Sequence, residues 1–423
     1  MKKKSLAFVL CVVLMMSLPV GCGQKKEAGV QKGPQNVQKE NVPGSTGGTE
    51  TGGGNSDVPY IKLGIPMARF ESRNMVTMLT NAEYIVGNMP NGGEMYYETG
   101  GGADADSILT AIEKLIAAGC NGILVSPVND SMLIKTSQIC EKAGVYWGVV
   151  WREVIDPEVC EVIYKSPYFI GTVTQDDKNV CYEVAQEMAD YGMKKIGLIS
   201  LDKSNTATIR REEGLDRAVE EFGLEIVAEA RDLAQAADAA QAVESFITAY
   251  PDLDGILIAG SMGYNLLSGI TSALDQYDPE GHMKLGVVDF LDGLDTAMAK
   301  DRVLVSKGGI WISSLNTLTT LMVNTISENG LMGGEQLDIK VPFITIKDMD
   351  DLKDYYYYFE GELPWYTFEE EEHYLSAYNP DVSADDIVNM AATFSLEEVA
   401  KRHADLKPPV PGPIKDYEGY VEP

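Results

Sequence analysis

The sequence predicts an α/β protein built from two parallel sheets, each covered by helices on both faces. Three observations carry this. Short apolar runs of four to six residues alternate with amphipathic helical patterns from Pro59 onward. Most of the runs are rich in Val, Ile and Leu, the pattern of strands buried on both faces. More than nine such strands suit two sheets better than one.

In chain order the strand-like runs are Ile61–Pro66, Met95–Thr99, Gly122–Ser126, Val145–Val150, Phe169–Val173, Lys195–Ser200, Glu225–Ala230, Gly255–Ala259, Lys284–Asp289 and Val303–Ser306. Between them lie helices with one apolar face. Ile108, Leu109, Ile112, Leu115 and Ile116 share a face, with Gly119 placed to end the helix. Val180, Val184, Ala185 and Met188 repeat the pattern up to Gly192, and Leu215, Ala218, Val219 and Phe222 repeat it up to Gly223. A last helix pattern, Trp311–Asn329, precedes a final strand, Val341–Ile346. Residues 348–423 then change character. They are acidic, carry Tyr355–Tyr358, and become Pro-rich, with two short helices expected over Ala384–Met390 and Leu396–Leu406. This extension is expected to pack on the body and to end in a disordered stretch.

The N-terminus sets the compartment. Lys2, Lys3 and Lys4 precede an apolar run from Leu6 to Leu18, then Gly21 and Cys22. A basic segment, a short apolar segment and small residues before a cleavage point form a secretory signal over residues 1–21. The run is too short to span a bilayer comfortably. Residues 22–57 hold almost no large apolar side chains, so they are expected to be a flexible tether reaching roughly 30–35 Å.

Removing residues 1–57 leaves 366 of the 423 residues, enough for two lobes. The net charge is −30 and becomes −33 once a signal with three Lys and no acid is removed. So acidic a surface repels phosphate backbones and anionic lipid, which excludes nucleic acid and flat membrane binding. Cys120, Cys140, Cys160 and Cys181 fit no zinc spacing. They are either buried free thiols or disulfide partners.

Catalysis finds little support. The three histidines are His282, in a turn before a strand, and His373 and His403, in the extension. No Gly-x-Ser-x-Gly elbow is present. Gly100, Gly101 and Gly102 lack the spacing of a dinucleotide loop and read as a strand–helix turn. Glu369–Glu372 beside His373 reads as a solvated charge run rather than a metal site. No cofactor is implied.

Several motifs then occur in the order found in the ribose-binding family of bacterial solute-binding proteins. The run from Gly122 to Asp130, with Pro127 in its turn, resembles that family's third strand. Val149, Val150, Trp151 and Arg152 resemble its fourth strand and ligand-facing pair. Ile170–Asp177 resembles the crossover into the second lobe. Arg211 to Leu215 resembles its Arg-x-x-Gly-aromatic helix start, and Gly286–Asp289 the strand ending in a ligand Asp. Cys22 after small residues resembles a bacterial lipobox, with Pro19 in the place of the usual Leu.

The resemblance implies a type I periplasmic binding protein fold: two Rossmann-like lobes joined by a three-strand hinge. The first would comprise 58–174 and 310–340, the second 175–309 and 341–347. It also implies a sugar receptor of an ABC importer, acting as a monomer with permease subunits as partners. The membrane would be met only through a lipid on Cys22, on the outer face of the cytoplasmic membrane. A sensor presenting its closed form to a chemoreceptor or kinase is the alternative, as is a receptor for a nucleoside or another small polar metabolite.

The ligand residues implied are Phe70, Trp151, Arg152, Asp176, Asp177, Arg211, Ser261 and Asp289. Arg152 and Arg211 are rigid multi-donor forks, and Asp289 accepts from hydroxyls. Phe70 and Trp151 offer flat faces to sugar C–H groups. Each has a plainer reading. Arg211 can pair with Glu212 or Glu213, Arg152 with Glu153, Trp151 can be core, and Asp176 can cap the following helix. The chain departs from the pattern at Trp151, where an Asp is usual. It departs again at Gly260–Ser261, in place of Asn-Asp, and at Gly309, in place of Gln. These changes imply a roomier cleft and a larger or modified sugar.

Overall fold

The computed structural model describes residues 30–32, 57–67, 73–98, 104–261, 265–360 and 364–404. Cys22, Phe70, the signal segment and residues 405–423 lie outside them. The first sheet contains β1 (Val30–Lys32), β2 (Ile61–Ile65), β3 (Gly93–Glu98), β4 (Gly122–Val125), β5 (Tyr146–Val150) and β6 (Phe169–Gln175). The second contains β7 (Lys195–Ser200), β8 (Glu225–Arg231), β9 (Gly255–Ile258), β10 (Lys284–Val288) and β11 (Val303–Gly308). Then β12 (Leu337–Val341) returns to the first sheet and β13 (Ile344–Ile346) joins the second.

The strand orders are β1-β3-β2-β4-β5-β6-β12 and β13-β11-β10-β9-β7-β8. All ladders are parallel except β1 on β3 and β13 on β11. This is the two-lobed α/β architecture the strand–helix alternation predicts. The strands β4, β6, β9 and β10 are buried throughout; β4 and β9 read as unbroken apolar runs, while β6 carries Thr172, Thr174 and Gln175 within its buried span and β10 opens on Lys284.

Three differences have physical reasons. The strand expected at Val341–Ile346 is two strands in two sheets. Pro342 lacks an N–H and cannot continue a ladder, so the chain leaves one sheet at Val341 and enters the other at Ile344. The tether is not featureless, since Val30–Lys32 pairs with the otherwise open edge of β3. The acidic extension holds more structure than its two expected helices. Met349–Phe359 and Phe368–Glu371 form helices ahead of Ala384–Thr393 and Leu396–His403.

Much of the extension's acidity works at helix N-termini. Asp348 accepts from the Asp350 and Asp351 N–H groups, and Thr367/Glu370 and Ser383/Asp386 form capping boxes. The run Glu369–Glu372 is not simply a solvated face, because Glu371 is buried. The extension covers the helix Ile310–Glu328, which is buried on nearly all sides. On this helix Thr320 and Thr325 donate to the Asn316 and Leu321 carbonyls, while the Ser313, Ser314 and Thr319 hydroxyls are buried without a partner among the described residues. Cys120, Cys140, Cys160 and Cys181 are free thiols.

Candidate functional site

The C-terminal ends of β5, β6, β9, β10 and β11 come together where the chain passes between the sheets. Open α/β sheets hold ligands at such ends. Two residues there adopt the left-handed region that bulky side chains avoid. They are Trp151 after β5 (φ 67°) and Asp289 after β10 (φ 73°), one in each lobe. Backbone strain of this kind, of order 1–3 kcal/mol per residue, clusters at binding sites.

Arg211 lies at the centre, buried on the helix Thr206–Phe222. Its Nε donates to Asp177 Oδ1 at 2.8 Å, and its Nη1 to the Ala259 carbonyl at 2.7 Å and to Asp289 Oδ2 at 3.2 Å. Burial alone would lower the Arg211 pKa; the charges of Asp289 and Asp177 outweigh it and hold the guanidinium above its ordinary value. Burial pushes Asp177 up, against the pull of Arg211. Gln175 Nε2 donates to the Trp151 carbonyl and to Asp177 Oδ2, both at 2.9 Å, tying the end of β5 to the first crossing.

Polar capacity is left over. Gln175 Oε1 and Asp289 Oδ1 are buried acceptors without a partner, a costly state unless something else bonds them. Arg152 is partly buried and makes no hydrogen bond or ion pair among the described residues. Burial pulls its guanidinium below the ordinary value, with Asp177 opposing that shift and Arg211 adding to it. Arg152 and Arg211 balance Asp177 and Asp289 in charge.

Some alternative pairings are not the ones formed. Glu212 bonds Arg231 and Ser200, and Glu213 bonds Arg210, so Arg211 is free to turn inward. Glu153 pairs with Arg210 at 2.7 Å and with Lys340 at 2.9 Å rather than with Arg152. The Arg210–Glu153 pair joins the lobes beside the cleft. Asp176 stands at the N-cap place without a side-chain cap bond; its Oδ2 accepts from Asn179. Ser261 is partly buried just past β9.

Trp151 is only 3% exposed. Its indole N–H donates to the Trp311 carbonyl, and its ring meets Trp311 edge-on at 5.3 Å. A flat face for a ligand is therefore better offered by Trp311, which is only partly buried. Trp311, Gln175 and Phe290 escaped the sequence reading. The available signal was their position, each within three residues of a crossing or of Asp289. The room expected at Gly309 is filled: a Cβ there would lie 2.8 Å from Ile344 Cδ1 and 3.2 Å from Phe290 Cε2.

Two parallel-sheet lobes meet at a polar, charge-balanced junction, an arrangement suited to holding a ligand. Residues 88–301 match the periplasmic binding protein domain family, and the chain belongs to it. The family consists of solute-binding proteins acting outside the cytoplasm. Among solved structures, the chain resembles a periplasmic ribose ABC transporter protein from Conexibacter woesei, at 16% identity and TM-score 0.57, over 70% of this chain and 94% of that one. An ABC transporter periplasmic solute-binding protein from Actinobacillus succinogenes with bound D-allose matches at 17% and 0.58, over 70% and 100%. An ABC transporter solute-binding protein from Bacillus halodurans with bound myo-inositol matches at 14% and 0.56, over 71% and 98%. At these identities the likeness is one of fold. No curated protein matches the chain.

Proposed function

We propose that the protein captures a neutral polyhydroxylated ligand, a sugar or cyclic polyol, between its lobes and delivers it to an ABC permease. The observation that carries this is the unused polar capacity at the junction. Gln175 Oε1 and Asp289 Oδ1 need donors, and Arg152 needs acceptors. A hydroxyl group is both at once. The balance of two guanidinium and two carboxylate groups favours a ligand without net charge.

The lobes are 58–174 with 310–340 and 175–309 with 341–347, a division supported by which sheet each strand joins. Hinge closure over the ligand is the motion that makes the closed form a signal to the permease. A lipid on Cys22 anchors the protein as a monomer at the outer face of the membrane, with residues 22–29 between the lipid and the strand Val30–Lys32 docked on the first sheet. The carbohydrate and inositol ligands of the similar structures support the ligand class.

A thermal-shift screen of neutral sugars, cyclic polyols, nucleosides and amino acids tests the reading. At 100 times Kd a ligand stabilises by about 2.7 kcal/mol, a rise of roughly 3–4 °C for a body of this size. That rise is expected from a neutral polyol and is expected to vanish in Arg152→Ala. Stabilisation by amino acids alone would overturn the ligand class.

A further inference from the structure

The chain does not finish in the second lobe. After β13, the helix Met349–Phe359 lies against the helix Leu294–Ala299, and Tyr355 meets Phe290 edge-on with ring centroids 4.7 Å apart. Phe290 follows Asp289 and covers the second crossing, since a Cβ on Gly308 would fall 2.7 Å from its Cδ1.

The rest of the extension grips the first lobe. The Tyr378 hydroxyl donates to the Asn88 carbonyl, just past the helix Arg73–Gly87. Asn324, on the helix Ile310–Glu328, donates to the Tyr374 carbonyl at 2.8 Å and accepts from the Ser376 N–H at 2.9 Å. The two halves are joined by aromatic packing. Phe359 meets Phe394 edge-on at 5.3 Å, and the Trp365 indole N–H donates to the Phe359 carbonyl at 3.0 Å.

The extension is therefore a fourth link between the lobes, beside the crossings at β6, β11 and β12. We propose that it is a strut setting the resting angle of the hinge, with Tyr355 a positioning residue that acts on Asp289 through Phe290. The part concerning Asp289 rests on the ligand-binding reading above; the strut itself does not. Lobe equilibria are balanced within a small margin, and ligand affinity scales with the fraction of molecules able to close. An edge-on aromatic pair shifts such an equilibrium by roughly two- to tenfold.

The test is hydrogen exchange by mass spectrometry on the full chain without ligand, comparing the native protein with Tyr355→Leu. Exchange over 288–293 and 308–311 is expected to rise roughly two- to tenfold, while 122–125 and 146–150 stay unchanged. The Kd of a compound found by the screen should rise by a similar factor. A rise confined to 349–404, with the crossing unaffected, would overturn the proposal. Should Tyr355→Leu fail to fold, Phe290→Leu reads the same contact from the second lobe's side. Faster exchange over 349–359 supports the strut, and unchanged exchange there overturns it. These readouts need no ligand, so an empty screen leaves them intact, and a successful screen with an unaffected crossing rejects the strut alone.

Discussion

Replacing Arg211 with methionine is expected to lower stability by about 3–5 kcal/mol at neutral pH, and to abolish ligand binding. The side chain is buried between Asp177 and Asp289 and supplies a donor to each. Methionine fills comparable volume, so packing is largely kept and the loss is electrostatic. Two carboxylates then share the site with Arg152 as their one remaining counter-charge, and the Ala259 carbonyl loses the Arg211 donor. The sign of the pH dependence follows. In the variant Asp177, pushed up by burial, loses the opposing pull of Arg211, so its folded pKa stands above its unfolded one. The penalty is then full at high pH and lost as pH falls toward the unfolded values. Urea unfolding at pH 5 and pH 7 measures this. A deficit below about 1 kcal/mol, or one equal at both pH values, would show that the guanidinium does not neutralise the pair.

The Glu371→Gln variant is expected to be more stable than the native protein at alkaline pH and to lose the fall in stability between the ordinary carboxyl value of 4.5 and about 8. Burial against the helix Ile310–Glu328 pushes Glu371 up to about 8, despite a bond from Asn316 and the charge of Arg402, with Glu370 adding to the rise. Tyr84 also faces it. Below the unfolded carboxyl value both states hold the proton and no penalty arises. Between that value and about 8 the folded state keeps a proton that the unfolded state releases. Native stability therefore falls as pH rises through this window, by a few kcal/mol in total. Glu370 behaves oppositely. Burial would raise it, but His403, the Thr367 N–H and Arg402 hold it down to about 2, so its contribution is lost only in acid. Melting temperatures from pH 5 to 9 give the comparison, and parallel curves for the two proteins would contradict the assignment.

The fold was legible where burial is symmetric. Lys195–Ser200 and Gly122–Val125 are central strands, and their apolar runs leave no other reading. The β12–β13 passage was not legible as a crossing, because one Pro inside an apolar run looks like an interruption rather than a change of sheet. The helix Met349–Phe359 was missed because its buried face, Leu352, Tyr355 and Phe359, is mostly aromatic within an acidic segment. Yet the spacing of three and four residues was present. In the site, charged residues ending apolar strands, such as Arg152 and Asp289, stood out at once. Gln175 did not, since its role depends on the Trp151 carbonyl reached across the crossing. The burial of Trp151 was no easier to read, since Trp311, which packs on it, is distant in sequence.

The most direct measurement is native mass spectrometry of the protein purified from rich medium, beside its Asp289→Ala variant. The account predicts one small molecule per chain, with the mass of a neutral sugar or polyol, retained by the native protein and absent from the variant. A charged metabolite in that place, or a carbohydrate that the variant holds equally well, would contradict it.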